Sequence, residues 1–159
     1  MKYNIILLVL IASMVSTVSQ GKTKSVTIPM FDNGRSTLYV TGKFGDLDNT
    51  ELMVDTGSGY VTINEDTLTK LKEKGLASYV KKVKGILANG SHFTVPIWRV
   101  SSLTINNHCV INDVEAAVFP GKTRQILGLT ALRKAAPFTI SLNPSSLTLN
   151  DCDDLLLSN

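Results

Sequence analysis

The feature that most constrains this chain is the tripeptide Asp55-Thr56-Gly57, which directly follows the apolar run Leu52-Met53-Val54. An apolar run that ends on a glycine-containing turn predicts a buried strand whose end carries the Asp55 carboxylate. A second carboxylate can face it there. Two carboxylates that share one proton can activate water against an amide bond, because close like charges cannot both ionise. The sequence contains a single Asp-Thr-Gly, so this chemistry requires a second copy of the chain.

Short β-type runs separated by turn signals make up most of the remaining sequence. One helix is predicted to begin after Asn64, a favourable N-cap residue, and to end at Gly75. A second helix is predicted over residues 129–135, and residues 138–149 are predicted to form a closing β-hairpin. This pattern predicts a mainly β fold, a small closed barrel or sandwich with two short helices.

Further turn signals place the other strands. Residues 25–30 alternate in polarity and predict an outer strand. Asn89-Gly90 separates two β-type runs and predicts a hairpin, and Asn106-Asn107 predicts another. Residues 114–119 are predicted to form a strand that ends at Pro120.

The N-terminus has the pattern of a targeting segment. Met1-Lys2 is positively charged, an apolar run follows, and small residues end the segment. We expect residues 1–19 to be the signal peptide of an exported protein, periplasmic or secreted; retention of this segment as a membrane anchor is the alternative. The expected division of the chain is residues 1–19 as the signal peptide, 20–36 as an N-terminal extension with the outer strand, 37–150 as the folded domain and 151–159 as a loose acidic and apolar tail.

Composition is that of an ordinary folded protein, with 43% hydrophobic and 18% charged residues among 159. This balance excludes an intrinsically disordered chain. The net charge is +3 and the basic residues are scattered, so no nucleic-acid partner is expected. A membrane partner is expected only if residues 1–19 are retained.

The two cysteines and two histidines limit the other chemistries. Cys109 and Cys152 can form a disulfide in an exported protein, or they can remain separate thiols, and the sequence leaves both open. His92 and His108 have no partner at a spacing that predicts a zinc site or a serine or cysteine nucleophile. No metal site is predicted.

The order of these motifs resembles the retropepsin-like aspartic proteases of clan AA, specifically the single-domain bacterial exported type. The resemblance covers residues 37–150. It rests on the Leu-Met-Val-Asp-Thr-Gly-Ser loop, on Ala88-Asn89-Gly90, on Ile126-Leu127-Gly128 before a short helix, and on the closing hairpin.

The resemblance implies a role for each matched position. Asp55 resembles the catalytic aspartate, and Thr56 resembles the threonine whose hydroxyl reaches the partner loop and braces the pair of aspartates. The other matched positions support the active-site loop (Gly57, Ser58), form the flap over the substrate (Ile86, Leu87, Ala88, Asn89, Gly90) and pass through the loop as a short strand (Ile126, Leu127, Gly128).

The function that the resemblance implies is an aspartic endopeptidase that is a symmetric homodimer and hydrolyses an extended polypeptide. It implies no metal and no cofactor. The alternative is a non-catalytic peptide-binding or scaffolding domain on the same fold, because a fold does not fix a function. Replacement of Asp55 by asparagine separates the two, since only the enzyme depends on that carboxylate.

Overall fold

The structure, a computed structural model, describes residues 25–34, 36–86 and 89–152. The strands are β1 (Val26–Pro29), β2 (Phe31–Asp32), β3 (Leu38–Phe44), β4 (Thr50–Val54), β5 (Val61–Asn64), β6 (Ala77–Ile86), β7 (His92–Ile105), β8 (Cys109–Phe119), β9 (Ile126–Leu127), β10 (Phe138–Leu142) and β11 (Ser145–Leu149). The helices are α1 (Glu65–Glu73) and α2 (Leu129–Leu132). The predicted signal segment, residues 1–19, lies outside the described residues. Within the described ranges, neither helix combines the length and the apolar character that crossing a bilayer requires.

The larger sheet closes on itself to form a barrel. Its strands run in the order β2-β3-β4-β9-β5-β8-β7-β6, and β3 also pairs with β7. The closing pairs set Gly42 opposite Ile105 and Phe44 opposite Leu103. Most neighbours are antiparallel, but β4 with β9 and β5 with β8 are parallel. The predicted mainly β, closed fold is confirmed.

The barrel is filled by side chains from alternate strand positions. Along β3, Val40 and Phe44 are buried inside, and Leu52 on β4 is fully buried opposite Val40. Gly42 lies between the two buried β3 residues, and a Cβ there would collide with the Leu52 side chain. A side chain at position 42 would therefore require the buried Leu52 to move at the point where the barrel closes.

A smaller sheet covers one side of this core in the order β1-β11-β10. The outer strand predicted over 25–30 is β1, and it pairs with the closing hairpin through Val26 and Leu149. Ile28 and Leu147, which lie opposite each other, are fully buried in the main core. Burial of these aliphatic side chains fixes the chain start and the closing hairpin to the barrel.

The two helices begin where the sequence predicts. The Asn64 side chain accepts a hydrogen bond from the Thr67 N–H at 2.9 Å and caps α1. Gly75 follows α1 with a φ of +70°, a left-handed conformation that glycine adopts at low cost. α2 is shorter than predicted, since it ends at Leu132 rather than Ala135. Residues 133–135 form turns instead.

A disulfide joins Cys109, at the start of β8, to Cys152, with their Cα atoms 4.9 Å apart. Cys109 is fully buried, so the bond attaches the chain after β11 directly to the barrel core. The sequence predicts a loose tail from Asp151 onwards, but its first two residues are held by this bond. The remainder, residues 153–159, lies outside the described part of the chain.

Candidate active site

The backbone at Asp55 is fixed by the parallel pairing of β4 with β9. The Met53 N–H donates to the Gln125 carbonyl at 3.1 Å, and the Asp55 N–H donates to the Leu127 carbonyl at 3.2 Å. The ladder therefore continues one residue past the end of β4. Asp55 is therefore held in place by a backbone hydrogen bond to the neighbouring strand β9.

The turn after Asp55 orients its carboxylate. The Gly57 N–H donates to Asp55 Oδ1 at 2.8 Å, and the Ser58 N–H donates to the Asp55 carbonyl at 3.3 Å. A Cβ on Gly57 would lie 3.1 Å from Oδ1, tighter than ordinary contact. Among the described residues, hydrogen bonds reach the Asp55 side chain only at Oδ1, so Oδ2 is open to a further partner.

The segment Ile126-Leu127-Gly128 passes through the Asp55 loop. Gly128 packs against the Tyr60 carbonyl, and a Cβ at this position would overlap that oxygen. The next residue, Leu129, donates its N–H to the Ser58 carbonyl at 2.9 Å. The predicted loop residues and the predicted threading strand are thus brought together.

Thr56 lies at the tip of the loop and is exposed. No hydrogen bond from its hydroxyl group is formed within the part of the chain that the structure describes. The side chain is therefore available to a group outside the chain.

The predicted flap is the hairpin between β6 and β7. Ile86 ends β6 with 68% of its surface exposed. Asn89 Oδ1 accepts from the Ser91 N–H at 3.0 Å and from its hydroxyl at 2.7 Å, and Gly90 has a φ of +82°. These contacts form the turn that Asn89-Gly90 predicts. The flap positions Leu87 and Ala88 lie outside the described residues.

An aromatic cluster supports the flap from below. The Phe93 ring packs over Gly85, its cross-strand partner, and a Cβ on Gly85 would collide with the ring. Phe93 also lies 5.2 Å from the Phe119 ring, measured between centroids. Val95 and Ile97 are buried in the same cluster. The flap strands are thus anchored to β8 rather than extended freely into solvent.

Tyr60 connects the active-site loop to the flap, a role that the sequence pattern did not indicate. It packs against the cluster below the flap, and the Lys81 ammonium lies 5.9 Å from the centre of its ring. Interaction with the Tyr60 side chain is the largest cause that raises the pKa of Lys81, and Glu115 adds to it. The Glu115 carboxylate forms two ion pairs, from Oε2 to Lys81 Nζ and from Oε1 to Arg99 Nη2, each at 3.5 Å.

Thr130 is a second position that sequence reasoning missed. Its hydroxyl accepts from the Val61 N–H at 2.8 Å and donates to the Glu115 carbonyl at 2.7 Å. It therefore links α2 to β5 and β8, just behind the Asp55 loop. In the sequence, Thr130 is only a threonine near the start of a short helix, a pattern too common to predict these two hydrogen bonds.

No group of three or more His, Cys, Asp or Glu side chains within the described ranges is arranged to hold a metal ion. The loop presents the oriented carboxylate of Asp55 and the hydroxyl of Thr56, which has no hydrogen-bond partner among the described residues. That arrangement can supply half of a two-carboxylate site.

Comparison with known proteins agrees with this geometry. A search of curated proteins finds no match. Among solved structures, the chain is similar to the crystal structure of a retropepsin-like aspartic protease from Rickettsia conorii, with a TM-score of 0.55 and 19% identity over 83% of this chain and 94% of that one. At this identity the likeness shows the fold, which is retropepsin-like. Residues 40–131, more than half of the chain, match the aspartyl protease family, and the chain belongs to that family.

Proposed function

We propose that this chain is an aspartic endopeptidase that is active as a symmetric homodimer, with one Asp55 contributed by each subunit. The observation that carries the proposal is the position of Asp55. Backbone hydrogen bonds from Met53 to Gln125 and from Asp55 to Leu127 hold this end of the strand, and the Gly57 N–H orients the Asp55 carboxylate. A carboxylate held this way is pre-organised for catalysis, since it does not have to reorder when substrate binds.

The proposed reaction uses the two carboxylates in opposite roles. The ionised Asp55 takes a proton from water as the water oxygen attacks the scissile carbonyl carbon. The protonated Asp55 of the second subunit donates its proton to the carbonyl oxygen, which gives a gem-diol intermediate. The carboxyl that now holds the proton gives it to the amide nitrogen, while the ionised carboxylate takes a proton from a gem-diol hydroxyl, so that the C–N bond breaks and a carboxylic acid and an amine are released. The pair holds one proton throughout, because two carboxylates in close contact do not both ionise.

Two features support a homodimer. The chain holds one Asp-Thr-Gly, whereas the reaction needs two carboxylates. Thr56, next to Asp55, is exposed and has a free hydroxyl within the described part of the chain. In a two-fold arrangement the same loop meets itself, so each Thr56 hydroxyl faces its equivalent loop.

An extended polypeptide is the substrate that fits the flap hairpin. Ile86, at the end of β6, is exposed, and the Ser91 N–H bond to Asn89 Oδ1 forms the turn that joins the two flap strands. Extended peptides bind strand edges through main-chain hydrogen bonds, while side-chain pockets set the specificity.

Export of the protein is part of the proposal. Residues 1–19 have the pattern of a signal peptide. The disulfide between Cys109 and Cys152 supports a periplasmic or secreted location, because disulfides persist in oxidising compartments.

The experiment compares wild type with Asp55→Asn on a broad peptide library, with cleavage products read by mass spectrometry. Wild type should cleave and Asp55→Asn should not, although their unfolding transitions should coincide. A statine-type transition-state mimic should inhibit the wild type. Binding of the mimic without any cleavage would favour the peptide-binding alternative, and equal cleavage by both proteins would contradict the proposed role of Asp55.

A further inference from the structure

Arg124 lies beside the strand that carries Asp55. Its Nη1 donates to the sulfur of Met53 at 3.2 Å. The backbone next to Arg124 is fixed, because the Gln125 carbonyl accepts the Met53 N–H at 3.1 Å. The guanidinium group is therefore held against β4, two residues before the catalytic position.

Strand alternation puts Met53 and Asp55 on the same face. Side chains at i and i+2 of a strand point to one side, with Cα atoms about 6.6 Å apart. The alternation extends to Asp55, because its N–H bonds to the Leu127 carbonyl of β9 and that of Met53 bonds to the carbonyl of Gln125, the residue before β9. A cation that contacts the Met53 side chain thus lies on the face from which the Asp55 carboxylate projects.

Among the described residues, no carboxylate forms an ion pair with Arg124. Ion pairs between described residues join Lys74 to Asp46, and Glu115 to Lys81 and Arg99; none includes Arg124. Arg124 and Glu51 line one cavity of about 490 Å³, in which the Asn33 side-chain amide donates a hydrogen bond to Glu51 Oε2 at 2.7 Å. Arg124 is exposed, so its remaining donors are available to a carboxylate from outside.

The surrounding sequence adds positive charge. Between Lys74 and Asp113 the chain contains no aspartate or glutamate, so the whole flap hairpin is basic. Lys122 lies in the same loop as Arg124. Clustered charge of one sign raises the local concentration of oppositely charged ligands.

We propose that Arg124 is a specificity-determining residue that binds the carboxylate of a substrate side chain close to the scissile bond, so that the enzyme prefers acidic peptides. This inference rests on the proposed peptidase function. To the proposed peptidase function, this inference adds acidic peptides as the substrate class and Arg124 as the residue that selects them. A guanidinium suits this role because its planar fork can donate two parallel hydrogen bonds to a carboxylate.

The test uses peptides that differ only in having Glu, Gln or Lys at one position within three residues of the cleaved bond. At one such position wild type should prefer Glu, and Arg124→Gln should lower the Glu-to-Gln ratio of kcat/KM roughly tenfold, as expected when a hydrogen bond to a charged group is lost. Cleavage of the Gln peptide should change little. Arg124→Glu should reverse the preference towards Lys. The matched control is Arg133→Gln, which removes the same charge from an exposed position at the end of α2 and should keep the wild-type ratio.

Binding separates this inference from the proposed function. Statine-containing versions of the Glu and Gln peptides are titrated against the same four proteins by fluorescence polarisation. If no peptide is cleaved but wild type binds the Glu version more tightly and Arg124→Gln does not, the proposed function fails and the recognition role stands. If wild type shows no preference for Glu in cleavage or binding, or if Arg124→Gln keeps that preference, the role of Arg124 is contradicted.

Discussion

Gly128 packs directly against the carbonyl oxygen of Tyr60, with no room for a Cβ between them. The Tyr60 carbonyl cannot easily move away, because it accepts the Ser58 hydroxyl at 2.7 Å. We therefore expect Gly128→Ala to destabilise the fold by about 2 kcal/mol or more, the usual cost of overpacking a rigid site. Urea unfolding measures this change, and cleavage activity should fall with it because the Asp55 loop shifts.

Gly59→Ala is the matched control for that substitution. A Cβ on Gly59 meets no atom within 4 Å. Its free energy of unfolding should stay within about 0.5 kcal/mol of wild type. Equal effects of the two alanine substitutions would contradict the close packing of the threading strand in the loop.

Thr56 is expected to hold the dimer together. Loss of a buried hydroxyl partner costs about 1–3 kcal/mol, and a symmetric dimer loses two equivalent bonds. Thr56→Val should weaken the dimer at least tenfold, about 1.4 kcal/mol, whereas Thr56→Ser should be much milder. Sedimentation over a concentration series gives the dissociation constants. If all three proteins have the same constant, Thr56 is only a turn residue.

The disulfide is expected to stabilise the fold through the loop that it closes. Cys109 and Cys152 are separated by 43 residues. Closing a loop of this length stabilises a protein by about 4 kcal/mol in the chain-entropy treatment, and measured values are commonly 2–4 kcal/mol. The double variant Cys109→Ala, Cys152→Ala should lose stability in that range. Reductant should destabilise wild type but not the double variant; an identical response of both would show that the bond is absent in solution.

Activity should be highest in acid. The proposed pair of Asp55 carboxylates must hold one proton, so the rate should fall when the second carboxylate ionises and again when both are protonated. A pH–rate profile of kcat/KM should therefore be bell-shaped. A rate that rises steadily to about pH 9 would instead indicate a different base.

The parts of the fold that depend on local chemistry could be predicted from the sequence. Asn64 predicts the start of α1, and the structure shows its side chain on the Thr67 N–H. The turn at Asn106-Asn107 was predicted as well, and both residues adopt the left-handed φ values that this turn requires. These features need only residues that are close in sequence.

Features that join distant segments could not be predicted in the same way. Nothing local to β3 indicates that Gly42 pairs with Ile105 and closes the barrel. The strand predicted over residues 114–119 already begins at Cys109. Its first residues pair with β7, and the polar residues Asn112 and Asp113 in this part are exposed. The sequence left the pairing of Cys109 with Cys152 open, since only the fold brings their Cα atoms within bonding range.

In the candidate site, too, the residues within short motifs could be predicted, and those placed by strand pairing could not. The Asp-Thr-Gly motif and the Ile-Leu-Gly segment were recognisable as short patterns, and the structure brings them together at Asp55 and Gly128. Tyr60 and Arg124 were not, because their positions depend on which strands become neighbours. A single tyrosine or arginine after a turn has no distinctive spacing.

The most direct test of the central claim is to mix wild-type and Asp55→Asn subunits. If each active site takes one Asp55 from each of two chains, a mixed dimer is inactive. After full subunit exchange, an equal mixture should then keep roughly a quarter of the activity of the same total amount of wild type, since random pairing leaves about one dimer in four with two aspartates. Retention of about one half of the activity, the value for subunits that act alone, would contradict the shared site.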